Sequence, residues 1–165
     1  MPPRLEGWST SGRRGGDGAI VSEQRVRADA PVVEHSERGG RMLGARYWRQ
    51  IPRSTAGLVR SREGDEGVEL RLVGGPLLLR LGPPRVTVAG DRVECSYPIL
   101  GGLLVRREGG TIALWQAAGP PAELGAAVTG YFPRLTGALY RLVQRPVHVA
   151  LVRGYLARLI AEAGR

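Results

Sequence analysis

From Gly57 to Gln116 apolar and polar residues alternate along the chain, interrupted by turn residues, and beyond Gly137 apolar positions recur every three or four residues to about Ala163. Alternation puts successive side chains on opposite faces of a strand, whereas the wider spacing lines one face of a helix. Strands first and a long helix last predict an α+β fold: a curved antiparallel β-sheet meander covered by a long C-terminal helix.

Within the first region, Gly57-Leu58-Val59-Arg60, the turn-rich Glu63 to Gly67 and the alternating Val68, Leu70 and Leu72 predict a hairpin. Gly74-Gly75-Pro76 turns the chain into Leu77, Leu79 and Leu81, after which Val86 and Val88 alternate with polar neighbours. Gly90-Asp91 leads into Val93, Cys95 and Tyr97. The next strand is expected over Leu103 to Arg106, and Gly109-Gly110 returns it into Ile112 and Leu114. Short links of this kind require antiparallel neighbours. Leu124, Ala126 and Val128 favour a last strand over an Ala-rich helix. In the terminal helix Leu139, Leu142, Val143, Val147, Leu151, Tyr155 and Leu159 form the apolar stripe, and Pro146 is expected to kink or split it.

Before the meander, Ala19 to Pro31 partly alternates and predicts a first strand. Val32 to Pro52 contains Gly39-Gly40 and Gly44, and predicts one or two short helical turns and not two long helices. Residues 1 to 18, rich in Gly, Arg, Ser and Pro, have little to bury and are expected to be a disordered tail. No strand precedes their Gly-rich run and no Gly-Lys-Ser/Thr closes it, so a phosphate loop is disfavoured. Residues 19 to 165 are then read as one α+β domain.

Composition changes this picture little. The net charge of +9 comes from 24 basic residues against 15 acidic ones, and all 24 are Arg; Lys and Asn are both absent. Loss of two residues with A-rich codons points to a GC-rich genome more than to phosphate recognition, which disfavours nucleic acid as the partner. The charge is spread along the chain; only residues 117 to 165, with six Arg and two acids, are lopsided. Cys95 stands alone, so no intramolecular disulfide forms, and charges interrupt the first twenty residues where a signal peptide would need an apolar core. The expected location is the reducing cytoplasm.

Arg25-Val26-Arg27-Ala28-Asp29-Ala30-Pro31, followed by some 25 residues with the aromatic pair Tyr47-Trp48, a strand meander and a long terminal helix, resembles the helix-grip (SRPBCC) superfamily of START lipid-transfer domains and polyketide cyclases. The resemblance covers residues 19 to 163. It implies a last helix lying across a curved sheet to enclose an apolar cavity, and it carries over no catalytic residue.

Candidate chemistry is sparse. Cys95 alternates with Val93 and Tyr97 and is expected to face the core or cavity, as an inert thiol unless a base lowers its pKa. A Cys95-His148 pair is geometrically open. Glu34-His35-Ser36-Glu37 offers too few ligands for a metal without a second His, and a solvated loop is the simpler reading. Trp8, Trp48 and Trp115 read as tail, core and sheet aromatics rather than a base-stacking platform. The side chains expected to face a ligand are Trp48, Cys95, Tyr97, Trp115, Tyr140 and His148, with no cofactor and no metal. The expected partner is an apolar small molecule, bound or folded by a cyclase or isomerase. The alternative is an adaptor whose Arg-rich terminal helix docks on an anionic membrane or nucleic acid.

Overall fold

The computed structural model describes residues 6–135, 138 and 140–164, the side chains of Tyr140 and Val143 excepted. Among the described residues nine antiparallel strands form one open sheet: β1 (Glu6–Arg14), β2 (Ile20–Ala28), β3 (Val59–Gly64), β4 (Gly67–Leu72), β5 (Leu77–Leu81), β6 (Arg85–Ala89), β7 (Arg92–Gly101), β8 (Thr111–Ala117) and β9 (Ala122–Tyr131). Their order is β1-β2-β9-β8-β7-β5-β4-β3, with β6 also paired to β7. Helix α1 (Glu37–Ser54) packs on β3, β6, β7 and β8, and α2 (Arg145–Ala163), entered through a π-helical turn (Tyr140–Gln144), packs on β2, β9 and α1. An antiparallel sheet beneath a C-terminal helix is therefore the fold.

The alternating segments form strands as their periodicity predicts, and Ala122–Tyr131 is a strand. Their pairing is less regular than a meander. β5 and β6 do not pair with each other; both lie along β7, β6 against Arg92–Ser96 and β5 against Ile99 and Gly101. Gly82-Pro83-Pro84 separates them, and two prolines without N–H groups cannot continue a ladder. Leu103 to Arg106, expected as a strand, is a loop; the amides of Leu103 and Leu104 donate to the Leu77 and Leu78 carbonyls of β5, and Val105 forms an isolated bridge to Pro133.

Three further expectations are corrected. Residues 6–14 of the expected tail are β1, an edge strand paired with β2 from Glu6↔Arg27 to Arg14↔Ile20. Its side chains are nearly all exposed, so no apolar alternation marks it; backbone hydrogen bonds hold it, and Trp8 packs against the core. Glu37–Ser54 is one 18-residue helix rather than short turns. Ser36 caps it, accepting from the Gly39 amide at 3.1 Å. The glycines expected to break it are what let it approach the sheet. A Cβ on Gly40 would stand 2.5 Å from Val86 Cγ1, and one on Gly44 would run into the Tyr97 hydroxyl and sit 3.0 Å from Cys95 Sγ. Helix glycines cost roughly 1 kcal/mol each, and close helix-sheet packing offsets it.

The third concerns the terminal helix. Pro146 lies in the first turn of α2 directly after the π-helical turn, so the helical geometry changes from π to α beside it, where its missing N–H is best tolerated. The buried stripe is Val152, Tyr155, Leu156 and Leu159, while Leu142 is 75% exposed. Leu139 and the side chain of Val143 lie outside the described residues.

The core joins both helices to the sheet. Tyr47 meets Trp48 and Tyr155 edge-on at 4.7 and 5.1 Å between ring centres, and Trp48 meets Tyr97 at 5.3 Å. The Tyr155 hydroxyl donates to the Leu43 carbonyl at 2.7 Å, tying α2 to α1. Buried Gln116 on β8 accepts from the amides of Val32 and Val33 at 2.7 and 3.0 Å and donates to the Val33 carbonyl at 2.8 Å, fastening the link between β2 and α1. Leu159→Ala should cost about 2–5 kcal/mol of stability, and Leu142→Ala less than about 0.5 kcal/mol. Urea denaturation of the two variants checks this, and equal losses would place the helix in a different rotation.

Candidate functional site

Where the helices diverge above the sheet, side chains fail to meet and leave a cavity of about 270 Å³. The inward residues of β2 (Ile20, Ser22), β7 (Ile99), β8 (Ile112) and β9 (Val128) form its floor. Tyr47, Trp48 and Ile51 of α1 form one wall, and Val147, His148 and Leu151 of α2 the other. Val147 is 53% exposed, so the α2 wall reaches solvent. A larger hollow along α1, edged by Arg38, Arg41 and Arg49, is an open surface groove that encloses nothing.

One end of the cavity is polar. Tyr131 donates to the Leu104 carbonyl at 2.7 Å, and Gln144 Nε2 donates to the Tyr131 hydroxyl. Gln144 Oε1 is buried with no hydrogen-bond partner. His148 follows one helical turn later on the same wall. Tyr131 reaches the cavity because of a bulge: on β2, Ile20 and Ser22 are two residues apart, while their partners Tyr131 and Val128 on β9 are three apart. The extra residue turns Tyr131 onto the face that Val128 shares. Nearby on β2, buried Gln24 has neither side-chain polar atom hydrogen-bonded.

Of the residues expected to face a ligand, Trp48 and His148 line the cavity. Cys95 and Tyr97 share the inward face of β7 with Ile99, but Gly44 of α1 sits directly on them and separates them from the space. Burial pushes the Cys95 thiol up, against an opposing hydrogen bond from Tyr97, and leaves it a poor nucleophile at neutral pH. Burial, chiefly, pushes the Tyr97 hydroxyl up as well, while the nearby Trp48 N–H favours its ionised form without reaching full hydrogen-bond geometry. Cys95 and His148 are not brought together. Trp115 is on the opposite face of the sheet from Ile112 and Leu114, its indole flat on Gly125 and its other side stacked by the Arg92 guanidinium at 4.2 Å. The alternation of β8 already implied this. The side chain of Tyr140 lies outside the described residues. Ser36 caps α1 with its hydroxyl also donating to Glu34 at 2.9 Å, Glu37 stands in the first turn, and among the described residues no three His, Cys, Asp or Glu side chains cluster as metal ligands.

Sequence reasoning missed Tyr131 and Gln144. The bulge hides the first from any period of two, and the second sits in a π-helical turn where helical spacing slips.

No family model matches this chain, and no curated protein does. Among solved structures, the solution NMR structure of CalU16 from Micromonospora echinospora is similar over 97% of this chain and 77% of its own, at 17% identity and a TM-score of 0.42. The crystal structure of CalU16 covers 95% of this chain and 92% of its own, at 14% identity and a TM-score of 0.34. At such values no residue and no activity is transferred. Among the described residues no helix is long and apolar enough to cross a membrane.

His148 gives the site a pH signature. Desolvation lowers its imidazole from 6.5 to about 4, so it is neutral at pH 7. Between those values the unfolded chain takes up a proton that the folded chain refuses, so stability is level above about 6.5 and falls as pH drops toward 4. Melting temperatures across this window should decline less in His148→Gln than in the wild type; parallel curves would show that the imidazole is solvated.

Proposed function

We propose that this chain is a binding protein for a small apolar molecule, of helix-grip type, with the ligand held between the sheet, α1 and α2. The observation that carries the reading is the cavity of about 270 Å³ with predominantly apolar walls and the polar groups of Tyr131, Gln144 and His148 gathered on its α2 side. A cavity of about 150 Å³ lined by apolar side chains accommodates benzene, so this one suits a molecule of roughly ten to a dozen non-hydrogen atoms. Trp48 supplies a flat apolar wall, and His148, Tyr131 and Gln144 the orienting polar groups. A cyclase or isomerase acting on a polyketide or isoprenoid-like substrate would use the same cavity, with shape holding the chain in its reactive fold. The buried lone thiol of Cys95 suits a reducing cytoplasm.

Naphthalene is the probe of this reading. It should bind with little dependence on salt, because removing apolar surface from water drives the association, and Leu151→Trp, which fills the space, should abolish binding at unchanged melting temperature. Native mass spectrometry of freshly purified protein should show a copurified apolar ligand. The opposite result is absent naphthalene binding together with attachment to anionic vesicles or nucleic acid that weakens steeply with salt. Loss of that attachment on replacing Arg141, Arg145, Arg153 and Arg158 by Gln would make the surface of α2 the working part.

A further inference from the structure

The polar end of the cavity narrows the class of ligand, given the cavity-binding reading just proposed. Among the described residues that line the space there is no Asp, Glu or Arg. A carboxylate or ammonium entering it would lose its hydration with no opposite charge in return, which disfavours a charged ligand. His148 does not supply that charge, being neutral at neutral pH.

The hydrogen-bond network then fixes which polar atom awaits a ligand. The single proton of the Tyr131 hydroxyl is donated to the Leu104 carbonyl, so toward Gln144 that oxygen is an acceptor. The Gln144 amide must therefore present Nε2 to Tyr131, which leaves Oε1 as an acceptor, buried and unmatched. A buried amide oxygen without a donor is destabilising, and the molecule that fills the cavity is the natural source of one. From these positions we infer that the ligand is a neutral, ring-sized molecule carrying one hydrogen-bond donor, a hydroxyl or an N–H, which Gln144 Oε1 accepts.

Four probes of similar shape separate the elements of this inference in calorimetric titrations: naphthalene, 2-naphthol, 2-methoxynaphthalene and 2-naphthoate. The wild type should bind 2-naphthol roughly three- to tenfold more tightly than 2-methoxynaphthalene, the range set by one net hydrogen bond, and 2-naphthoate should be the weakest. Gln144→Leu should erase the preference for the hydroxyl while retaining naphthalene. Gln144→Met, unbranched and without an acceptor, makes the same comparison should the leucine variant fold poorly. Equal affinity of the wild type for 2-naphthol and its methyl ether overturns the inference, as does tightest binding of 2-naphthoate or a preference that survives in a folded Gln144 variant. Naphthalene binding without a preference for the hydroxyl defeats this inference alone. Failure of naphthalene to bind the wild type defeats the cavity reading and this inference together.

Discussion

The close seating of α1 on β7 is the constraint on which the rest of the structure depends. Gly40 and Gly44 present bare backbone to Val86, Val93, Cys95 and Tyr97, so the helix descends onto the sheet at that point. One to two turns further along, the large side chains of Tyr47, Trp48 and Ile51 take over, and they hold the helix where the cavity opens beneath it. Small residues at one end and aromatic ones at the other thus turn a flat contact into a wedge. The Gln116 clamp sets where the wedge begins, and the Tyr155 hydroxyl ties α2 to its flank.

Such a wedge conflicts with the ordinary drive of a protein interior toward close packing. Unfilled space forfeits dispersion contacts for every side chain that borders it. Here the loss sits beside buried polar atoms of Gln144 and Gln24 without partners, so two kinds of destabilisation are concentrated in one region. The tightly packed half of the molecule, with its interlocked aromatic rings and the fully buried Leu114, Leu124, Leu156 and Leu159, offsets them. Local departures of this kind collect where a fold serves function rather than stability.

The arginines belong mostly to the surface. Several pair with carboxylates at the rim of the sheet and along α1, as in Arg41–Glu37 at 2.8 Å and Arg80–Glu69 at 3.2 Å, and exposed pairs of this type add little to stability. Arg92 does more, pairing with Glu94 at 2.6 Å while its guanidinium covers the Trp115 ring on the outer face of the sheet. Arg153 stands 5.3 Å over Trp8 and links α2 to the edge strand β1. Stacking over indole uses the planar guanidinium in a way an ammonium would not.

The sequence by itself determined the elements whose burial is one-sided. Alternation in Val93, Cys95, Tyr97 and Ile99, or in Leu124, Ala126 and Val128, follows from the geometry of a strand with one wet face and is local. Tertiary structure decided what that face meets. Cys95 and Ile99 point the same way, yet one lies under Gly44 and the other under open space, and only the placement of α1 separates them. β1 left no apolar trace because its partner is a backbone ladder. The glycines of α1 looked like breakers because their use is to be close to a distant strand. The polar end of the cavity was hidden for the same reason: Tyr131 and Gln144 meet only through a bulge and a π-helical turn, each of which breaks the periodicity by which a sequence reveals its folded faces.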